Sequence, residues 1–160
     1  MIKAAIIIAS DTRSNGTNKD ETIPLLSRFI GSNGWELVDS SIVPDDALLL
    51  SKKMIYYADV LRVDLILVSG GTGPSKRDVT PEATRLVIDK EMPGISEIMR
   101  VKNFEEITKS AVLSRGISGV RKDTLIINLP GNPKGAVDSI SVVSEIIEHC
   151  IDIIQGKGGH

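Results

Sequence analysis

The stretch "LVSGGTGPSKRDVTPEA", from Leu67 to Ala83, passes from an apolar run through a glycine-rich turn into charged residues. The turn is followed by two cations, by Asp78, and by the pair Thr80-Pro81. Threonine at the N-cap with proline at the first helical position is a helix start signal. The stretch therefore predicts a buried strand, a tight turn and a helix capped by Thr80, which is one repeat of an α/β fold.

Apolar runs and helical patterns alternate along the rest of the chain. Continuous apolar runs suit central strands that are covered on both faces, and strands separated by helices favour parallel pairing. We therefore predict an α/β fold with a mostly parallel central sheet and helices on both sides. The predicted strands are Lys3–Ser10, Trp35–Val43, Asp64–Gly70 and a late strand that begins at Thr124. The other predicted helices run from a Thr22 cap to Gly31–Gly34, from an Asp45 or Asp46 cap to Val60, and from Lys134 to Ile154.

Two segments do not follow this alternation. The sequence from Lys109 to Asp123 fits either an antiparallel strand or an extended loop. The final residues, "QGKGGH", are polar and glycine-rich, which is typical of a loose chain end. We therefore predict one domain over residues 1–154 and a flexible tail over residues 155–160.

The composition excludes several classes of function. A net charge of −2 gives no electrostatic attraction to nucleic acid, and 3% aromatic residues offer no stacking platform for single strands. No apolar run approaches the roughly 20 residues that span a bilayer. The single cysteine, Cys150, excludes an internal disulfide and is typical of a reducing compartment. We expect a cytoplasmic protein without a membrane or nucleic-acid partner.

The loops after the predicted strands carry the residues of chemical interest. In an open α/β sheet, ligands bind beyond the carboxyl ends of the strands, where these loops meet. Glycines allow backbone N–H groups to approach phosphate oxygens, and the helix after the turn adds its positive end. The residues expected to converge are Asp11, Asp45, Asp78 and Asp20 with the cations Lys76, Arg77 and Lys134.

Each of these features also has a plain structural interpretation. The turn "SGGTG" has neither Walker A nor G-x-G-x-x-G spacing, so by itself it could be an ordinary strand-to-helix connection. Lys76 and Arg77 could be solvated surface charges, and Asp45 or Asp46 could simply cap a helix. Taken together, however, several carboxylates beside phosphate-type donors indicate Mg²⁺, which prefers oxygen ligands and bridges to phosphates. This combination favours phosphoryl or nucleotidyl transfer.

Three motifs carry a family resemblance: "SGGTGPSKRDVTPEAT" (69–84), "SRGISGVR" (114–121) and "LIINLPGNPKG" (125–135). The segments "SDTRSNGTNKD" (10–20), "VPDD" (43–46) and "MPGISEIMR" (92–100) occur in the matching order. With these, nearly the whole chain resembles the MogA/MoaB family of molybdenum cofactor biosynthesis proteins, which includes gephyrin-type domains. The match is closest to the MogA type.

The resemblance implies a three-layer α/β/α domain that forms homotrimers in the cytoplasm. It implies transfer of AMP from Mg-ATP to the terminal phosphate of molybdopterin, with release of pyrophosphate and hand-over to a molybdenum insertase. On the matching positions, Asp45 and Asp78 are the expected catalytic residues and, with Asp20, the expected metal ligands. The expected phosphate-binding residues are Ser69, Gly70, Gly71, Thr72 and Gly73. The expected molybdopterin-binding residues are Asn128, Pro130, Gly131, Asn132 and Lys134.

Two alternatives to this activity stay open. A MoaB-like or gephyrin-type chain could bind molybdopterin with little turnover, although the loop "NLPGNPKG" favours the MogA type. A nucleotide pyrophosphatase, as in the related competence-damage type domain, would instead hydrolyse a dinucleotide without a pterin.

Overall fold

The computed structural model describes residues 1–158 and contains one six-stranded sheet. The strands are β1 (Lys3–Ala9), β2 (Glu36–Val43), β3 (Leu65–Ser69), β4 (Lys90–Glu91), β5 (Ser118–Arg121) and β6 (Thr124–Leu129). Their order in the sheet is β2-β1-β3-β6-β5-β4. Strand β1 pairs in parallel with β2 and β3, and β3 pairs in parallel with β6. Strand β5 is antiparallel to both β6 and β4. The predicted mostly parallel sheet is therefore confirmed.

Helices cover both faces of this sheet, which confirms the three-layer architecture. The α-helices are α1 (Asp11–Ser14), α2 (Thr22–Ser32), α3 (Ala47–Ile55), α4 (Thr80–Val87), α5 (Pro93–Glu106) and α6 (Pro133–Ile154). Helices α2, α5 and α6 pack on one face, whereas α3 and α4 pack on the other. A π-helical turn, Tyr56–Val60, continues α3, and a 3₁₀ turn, Lys109–Leu113, follows α5.

Strand β1 explains why the sheet needs two helical layers. Its residues Ile6 and Ile8 belong to the apolar core under α2 and α6, whereas Ile7 between them belongs to the core under α3 and α4. Successive side chains of a strand point to opposite faces, so a continuous apolar run must be covered twice. All three isoleucines are fully buried.

The predicted helix caps are correct for only one helix. Asp46, one of the two residues proposed for α3, accepts the Leu49 N–H at 2.9 Å. Thr22, in contrast, is the first residue of α2, and the preceding Asp20 carboxylate accepts the Thr22 and Ile23 N–H groups at 3.2 and 2.9 Å. A carboxylate two residues upstream thus satisfies the N–H groups that the sequence pattern assigned to the threonine.

Thr80 is also not a cap, because it is itself the first residue of α4 after Val79. Pro81 accordingly stands at the second helical position. The Thr80 side chain is fully buried, and its hydroxyl has no hydrogen-bond partner. The prediction used residue type alone, whereas the backbone at this point is fixed by the Thr80 N–H donating to Gly71 O at 3.0 Å.

The segments that broke the alternation are now defined. Residues 109–123 contain the 3₁₀ turn and then β5, so the antiparallel interpretation is correct for Ser118–Arg121. Helix α5 was not predicted, because its opening "PG" is typical of a turn. Of the predicted flexible tail, Gln155 donates to Asp64 Oδ1 at 2.6 Å, whereas residues 159 and 160 lie outside the described residues. Among residues 1–158, no helix is long and apolar enough to cross a membrane.

Candidate functional site

The loops after β1 and β2 are joined by two aspartates that satisfy each other. The Asp11 N–H donates to Asp45 Oδ2 at 3.1 Å, and the Asp45 N–H donates to Asp11 Oδ1 at 3.0 Å. Each carboxylate thus accepts the backbone N–H of the other residue. This exchange fixes both loops at the carboxyl edge of the sheet, where the sequence placed them.

The glycine turn after β3 lies directly against these loops. Gly70 and Gly71 have φ angles of +98° and +65°, a left-handed region that glycine adopts without steric cost. A side chain on Gly70 would collide with the carbonyl of Ala9, and one on Gly71 would collide with the Thr80 hydroxyl. The Asp45 Oδ1 atom lies 3.1 Å from the position that a Gly71 Cβ would take. Glycine at both positions is therefore required by conformation and by space.

Asp45 is the least satisfied carboxylate of the site. Its Oδ1 atom is buried and has no hydrogen-bond partner. Burial raises the pKa of the Asp45 carboxyl above its ordinary value, the Asp11 N–H opposes this, and the nearby charges of Asp11 and Asp78 raise the pKa further. A buried anionic oxygen without a partner is costly, so this atom is suited to a cation or to a donor from a ligand.

Asp78 lies against the last glycine of the turn. Its Oδ2 atom accepts the Ser75 N–H at 3.1 Å and is 2.8 Å from the position of a Gly73 Cβ. Asp45 and Asp78 therefore contact neighbouring glycines of the same turn. The predicted meeting of both aspartates with the glycine turn at one rim is confirmed.

Of the predicted cations, two have carboxylate partners. Arg77 donates to both oxygens of Asp11, with Nε and Nη2 at 2.9 Å each, and these bonds hold the pKa of the Asp11 carboxyl below its usual range. Lys134 lies 2.7 Å from Asp138 one helical turn away, and its side chain is 81% exposed. Both cations remain accessible from the solvent side.

The glycine turn and the loop after β6 border one cleft of about 490 Å³. Helix α5 and the 3₁₀ turn form its other wall and supply apolar surface from residues such as Met99 and Leu113. The predicted binding residues on its border are Thr72, Gly73, Asn128, Pro130, Gly131, Asn132 and Lys134. The predicted molybdopterin-binding residues thus all border the cleft, whereas only Thr72 and Gly73 of the predicted phosphate-binding residues do. Asp45 and Asp78 do not line it.

Three predicted binding residues already use their polar groups within the fold. Asn128 is buried, and its amide accepts from Ile117 N–H at 3.1 Å and donates to Thr84 Oγ1 at 2.9 Å. The Ser69 hydroxyl donates to Pro130 O at 2.7 Å, which ties the two loops together. Asn132 caps α6 by accepting the Gly135 N–H at 2.9 Å. In the structure, these three side chains therefore hold the backbone around the cleft in place.

Asp20 has a different set of contacts from Asp11, Asp45 and Asp78. Besides capping α2, it lies 3.5 Å from Arg13, which also donates to Gly131 O at 3.3 Å. Within residues 1–158, no three acidic, histidine or cysteine side chains group closely enough to hold a metal by themselves. Asp20, Asp45 and Asp78 therefore do not form such a group by themselves.

Sequence reasoning missed Arg115, which binds the backbone of the loop that follows the glycine turn. Its guanidinium donates to the carbonyls of Gly73 and Asp78 at 2.8 and 2.9 Å and pairs with Glu82. Arg115 stands in the motif "SRGISGVR". Its contacts join residues 37 and 42 positions apart in the chain, which no local pattern reveals.

Comparison with known proteins shows the family to which the chain belongs. A family model described as "Probable molybdopterin binding domain" matches residues 5–149. The chain belongs to this family. The molybdopterin adenylyltransferase of Helicobacter pylori strain J99 is 37% identical over 159 residues, which cover 98% of this chain and 89% of that protein. The molybdopterin adenylyltransferase of Escherichia coli K12 is 32% identical over 170 residues, covering 97% and 86%.

Solved structures of family members have the same fold. The molybdopterin biosynthesis enzyme MoaB of Thermus thermophilus aligns with a TM-score of 0.92 at 39% identity, covering 98% of both chains. The molybdopterin biosynthesis Mog protein of Mycobacterium ulcerans aligns with a TM-score of 0.89 at 36% identity, covering 96% of this chain and 99% of that one. The family resemblance drawn from the motifs is therefore confirmed over nearly the full chain.

Proposed function

We propose that this chain is a molybdopterin adenylyltransferase, which transfers AMP from Mg-ATP to the terminal phosphate of molybdopterin and releases pyrophosphate. The observation that carries the proposal is the junction of the glycine turn with Asp45 and Asp78 at one rim of the family fold. The relatives from H. pylori and E. coli, named for this activity, align with almost the whole chain.

The residues present fit a magnesium ion that is shared with a substrate. Mg²⁺ is usually bound by one or two carboxylates together with substrate phosphates, rather than by an all-protein set of ligands. Asp45 offers a buried oxygen without a partner beside Gly71, and the Asp78 carboxylate lies against Gly73 of the same turn. We assign the metal to these two residues and leave out Asp20. When bound, the ion would neutralise charge on the phosphates.

The protein's part in the reaction is to bind and orient two anions. In the transfer, an oxygen of the molybdopterin phosphate attacks the α-phosphorus of ATP, a new P–O bond forms, and the bond to pyrophosphate breaks. The Gly70 N–H already donates to Leu129 O at 3.0 Å, so we assign the ATP phosphates to the N–H groups that follow it in the turn, those of Gly71, Thr72 and Gly73. Molybdopterin is assigned to the cleft bordered by Pro130, Gly131, Asn132 and Lys134.

Charge explains why cations border this space. The two substrates repel each other, so their approach needs positive charge from the protein or the metal. Lys134 stands at the start of α6, whose N-terminus also favours anions, and Arg77 lies on the solvent side of the glycine turn. The contiguous cleft supports placing both phosphates within reach of each other.

The remaining properties that we propose rest on the family resemblance. We infer a homotrimer in the cytoplasm, with a single molybdopterin-binding domain over residues 1–154, that passes its product to a molybdenum insertase. Sedimentation velocity of the purified chain would check the trimer.

The decisive experiment incubates the purified chain with Mg-ATP and molybdopterin and measures pyrophosphate and adenylyl-molybdopterin. The expected result is one pyrophosphate per molybdopterin consumed. Release of phosphate from ATP without a pterin product, or no pyrophosphate at all, would exclude the transferase.

A second candidate function is molybdopterin binding with little turnover, as in a MoaB-like or gephyrin-type protein. The specific observation in its favour is the alignment with the MoaB of T. thermophilus at 39% identity. Molybdopterin that binds stoichiometrically but gives no pyrophosphate with Mg-ATP would select this candidate.

A further inference from the structure

The loop from Gly73 to Asp78 carries a proposed metal ligand, yet few of its own contacts hold it in place besides the exposed pair of Arg77 with Asp11. Its internal bonds are the Asp78 N–H to Ser75 O at 3.1 Å and the Ser75 N–H to Asp78 Oδ2 at 3.1 Å. Four consecutive residues, Pro74 to Arg77, are exposed. A short exposed turn with two internal hydrogen bonds is expected to open readily unless it is held from outside.

Arg115 supplies this external support at both ends of the loop. Its Nε atom donates to Gly73 O at 2.8 Å, and its Nη2 atom donates to Asp78 O at 2.9 Å. The Arg115 backbone N–H donates to Thr72 O at 2.8 Å. One residue thus binds three carbonyls that flank the loop.

The segment that carries Arg115 is itself fixed. Arg100 of α5 donates to Ser114 O at 2.9 Å and to Gly116 O at 3.0 Å, on either side of Arg115. Beyond it, Asn128 N–H donates to Ile117 O at 3.0 Å at the end of β6. The guanidinium therefore projects from a rigid support, and its planar fork suits two carbonyls and a carboxylate at once.

We propose that Arg115 is a positioning residue for the transfer reaction, which holds the Gly73–Asp78 loop so that the Asp78 carboxylate stays against the glycine turn. The carbonyls of Gly73 and Asp78 accept hydrogen bonds from the Arg115 guanidinium. The Asp78 carboxylate is thereby kept 2.8 Å from the position of a Gly73 Cβ. The ion pair with Glu82 is partly exposed and contributes little energy, so the carbonyl contacts carry the effect.

The expected fall in kcat rests on the proposed function, whereas the expected change in hydrogen exchange of the loop does not. The test uses Arg115→Met, which keeps the length of the stem but removes every donor of the guanidinium. Arg85→Met is the matched control, because Arg85 lies on α4 and only reaches Glu91 at 3.7 Å. Hydrogen exchange is measured on the full, nucleotide-free chain.

In Arg115→Met, the Ser75 and Asp78 amides should exchange about tenfold faster, on the scale of one or two lost hydrogen bonds. The Gly70 amide, which donates to Leu129 O at 3.0 Å, should exchange at the wild-type rate. The kcat for AMP transfer should fall about 100-fold, as expected for a displaced catalytic group, with the KM for molybdopterin unchanged. Arg85→Met should change neither quantity.

Arg115→Lys provides the second variant if Arg115→Met does not fold. One ammonium cannot reproduce the fork, so the lysine variant should keep the fold and show an intermediate exchange rate and kcat. Wild-type exchange of Ser75 and Asp78 in the folded variants would overturn the proposal, and so would faster exchange with unchanged kcat. If the wild-type chain transfers no AMP, the proposed function fails, and exchange alone decides whether Arg115 holds the loop.

Discussion

The two loops that border the cleft are held by different means. The loop after β3, residues 70–78, depends on distant residues: Ala9 and Asp45 border its glycines, and Arg115 binds its carbonyls. The loop after β6, residues 130–135, adds a local cap, because Asn132 accepts the Gly135 N–H at the start of the helix that follows. Two distant side chains, Ser69 and Arg13, also bind carbonyls of this loop. Long-range contacts thus hold the rim that carries Asp45 and Asp78, whereas the loop that carries Lys134 combines such contacts with local capping.

The largest expected effect is the loss of turnover in Asp45→Ala. The variant removes the buried, unpartnered oxygen beside Gly71, so AMP transfer should fall about 100- to 1000-fold, as for other groups that stabilise charge in a transition state. Circular dichroism should show a folded protein.

The neighbouring Asp46→Ala is the matched control for this variant. It removes only the cap of α3, so it should cost about 1 kcal/mol of stability and keep turnover. A folded Asp45→Ala with near wild-type turnover would remove Asp45 from the site.

The second expected effect compares one glycine from each loop. Gly71→Ala forces a side chain into the Thr80 hydroxyl at a φ of +65°, so the free energy of unfolding should fall by about 1–3 kcal/mol and turnover should fall with it. Gly135→Ala meets only ordinary contacts, at 3.6 Å from Asn132, and lies in α6, where alanine is favoured by up to about 1 kcal/mol.

Chemical denaturation of both variants, together with the AMP-transfer assay, measures this contrast. Equal free energies of unfolding for Gly71→Ala and Gly135→Ala would contradict the difference between the two loops.

The third expected effect is confined to the loop after β6. Asn132→Ala removes the cap of α6 and should lower the free energy of unfolding by about 1 kcal/mol. Asn132→Asp keeps an acceptor oxygen and should retain the stability. Hydrogen exchange should accelerate at the first turn of α6 and stay unchanged at Asp78, since the Asn132 side chain accepts an N–H group of α6 and not of the loop after β3. Faster exchange at both sites would contradict this local role of Asn132.

The smallest expected effect concerns the exposed pair of Arg77 and Asp11. Arg77 lowers the pKa of Asp11, so the folded state binds this proton less tightly than the unfolded state. The resulting stability is present above the ordinary aspartate pKa of 3.8 and is lost as the pH falls through the lower pKa of the folded state. Arg77→Met should therefore be less stable than wild type at pH 7 and approach it under acid conditions.

Salt provides the control for this effect. Because the pair is exposed, added salt should also reduce the difference between the two proteins. A stability difference that is independent of both pH and salt would assign the effect of Arg77→Met to packing instead.

The sequence predicts what depends on neighbours in the chain. The apolar runs of β1, β3 and β6 and the spacing of α6 give the layered fold, because burial on both faces leaves a pattern that periodicity detects. One of the two cap candidates for α3, Asp46, is correct for the same reason. Helix α5 was missed, because Pro93 and Gly94 at its start resemble a turn.

The candidate site was predictable in place but not in detail. Parallel strands bring their following loops to one edge, so the meeting of Asp45 with the glycine turn follows from topology. The engagement of Asn128 and Ser69 inside the fold does not, because it depends on Ile117, Thr84 and Pro130, which approach only after folding. Arg115 was overlooked for the same physical reason.

The paired aspartates also constrain how such a chain can change over generations. Asp11 and Asp45 each satisfy a backbone N–H of the other, so losing either carboxylate leaves an unmatched N–H on the opposite loop. A single replacement is therefore penalised twice, once for the missing acid and once for the stranded amide. In a lineage that drifts away from this chemistry, the two positions should mutate in concert rather than one at a time.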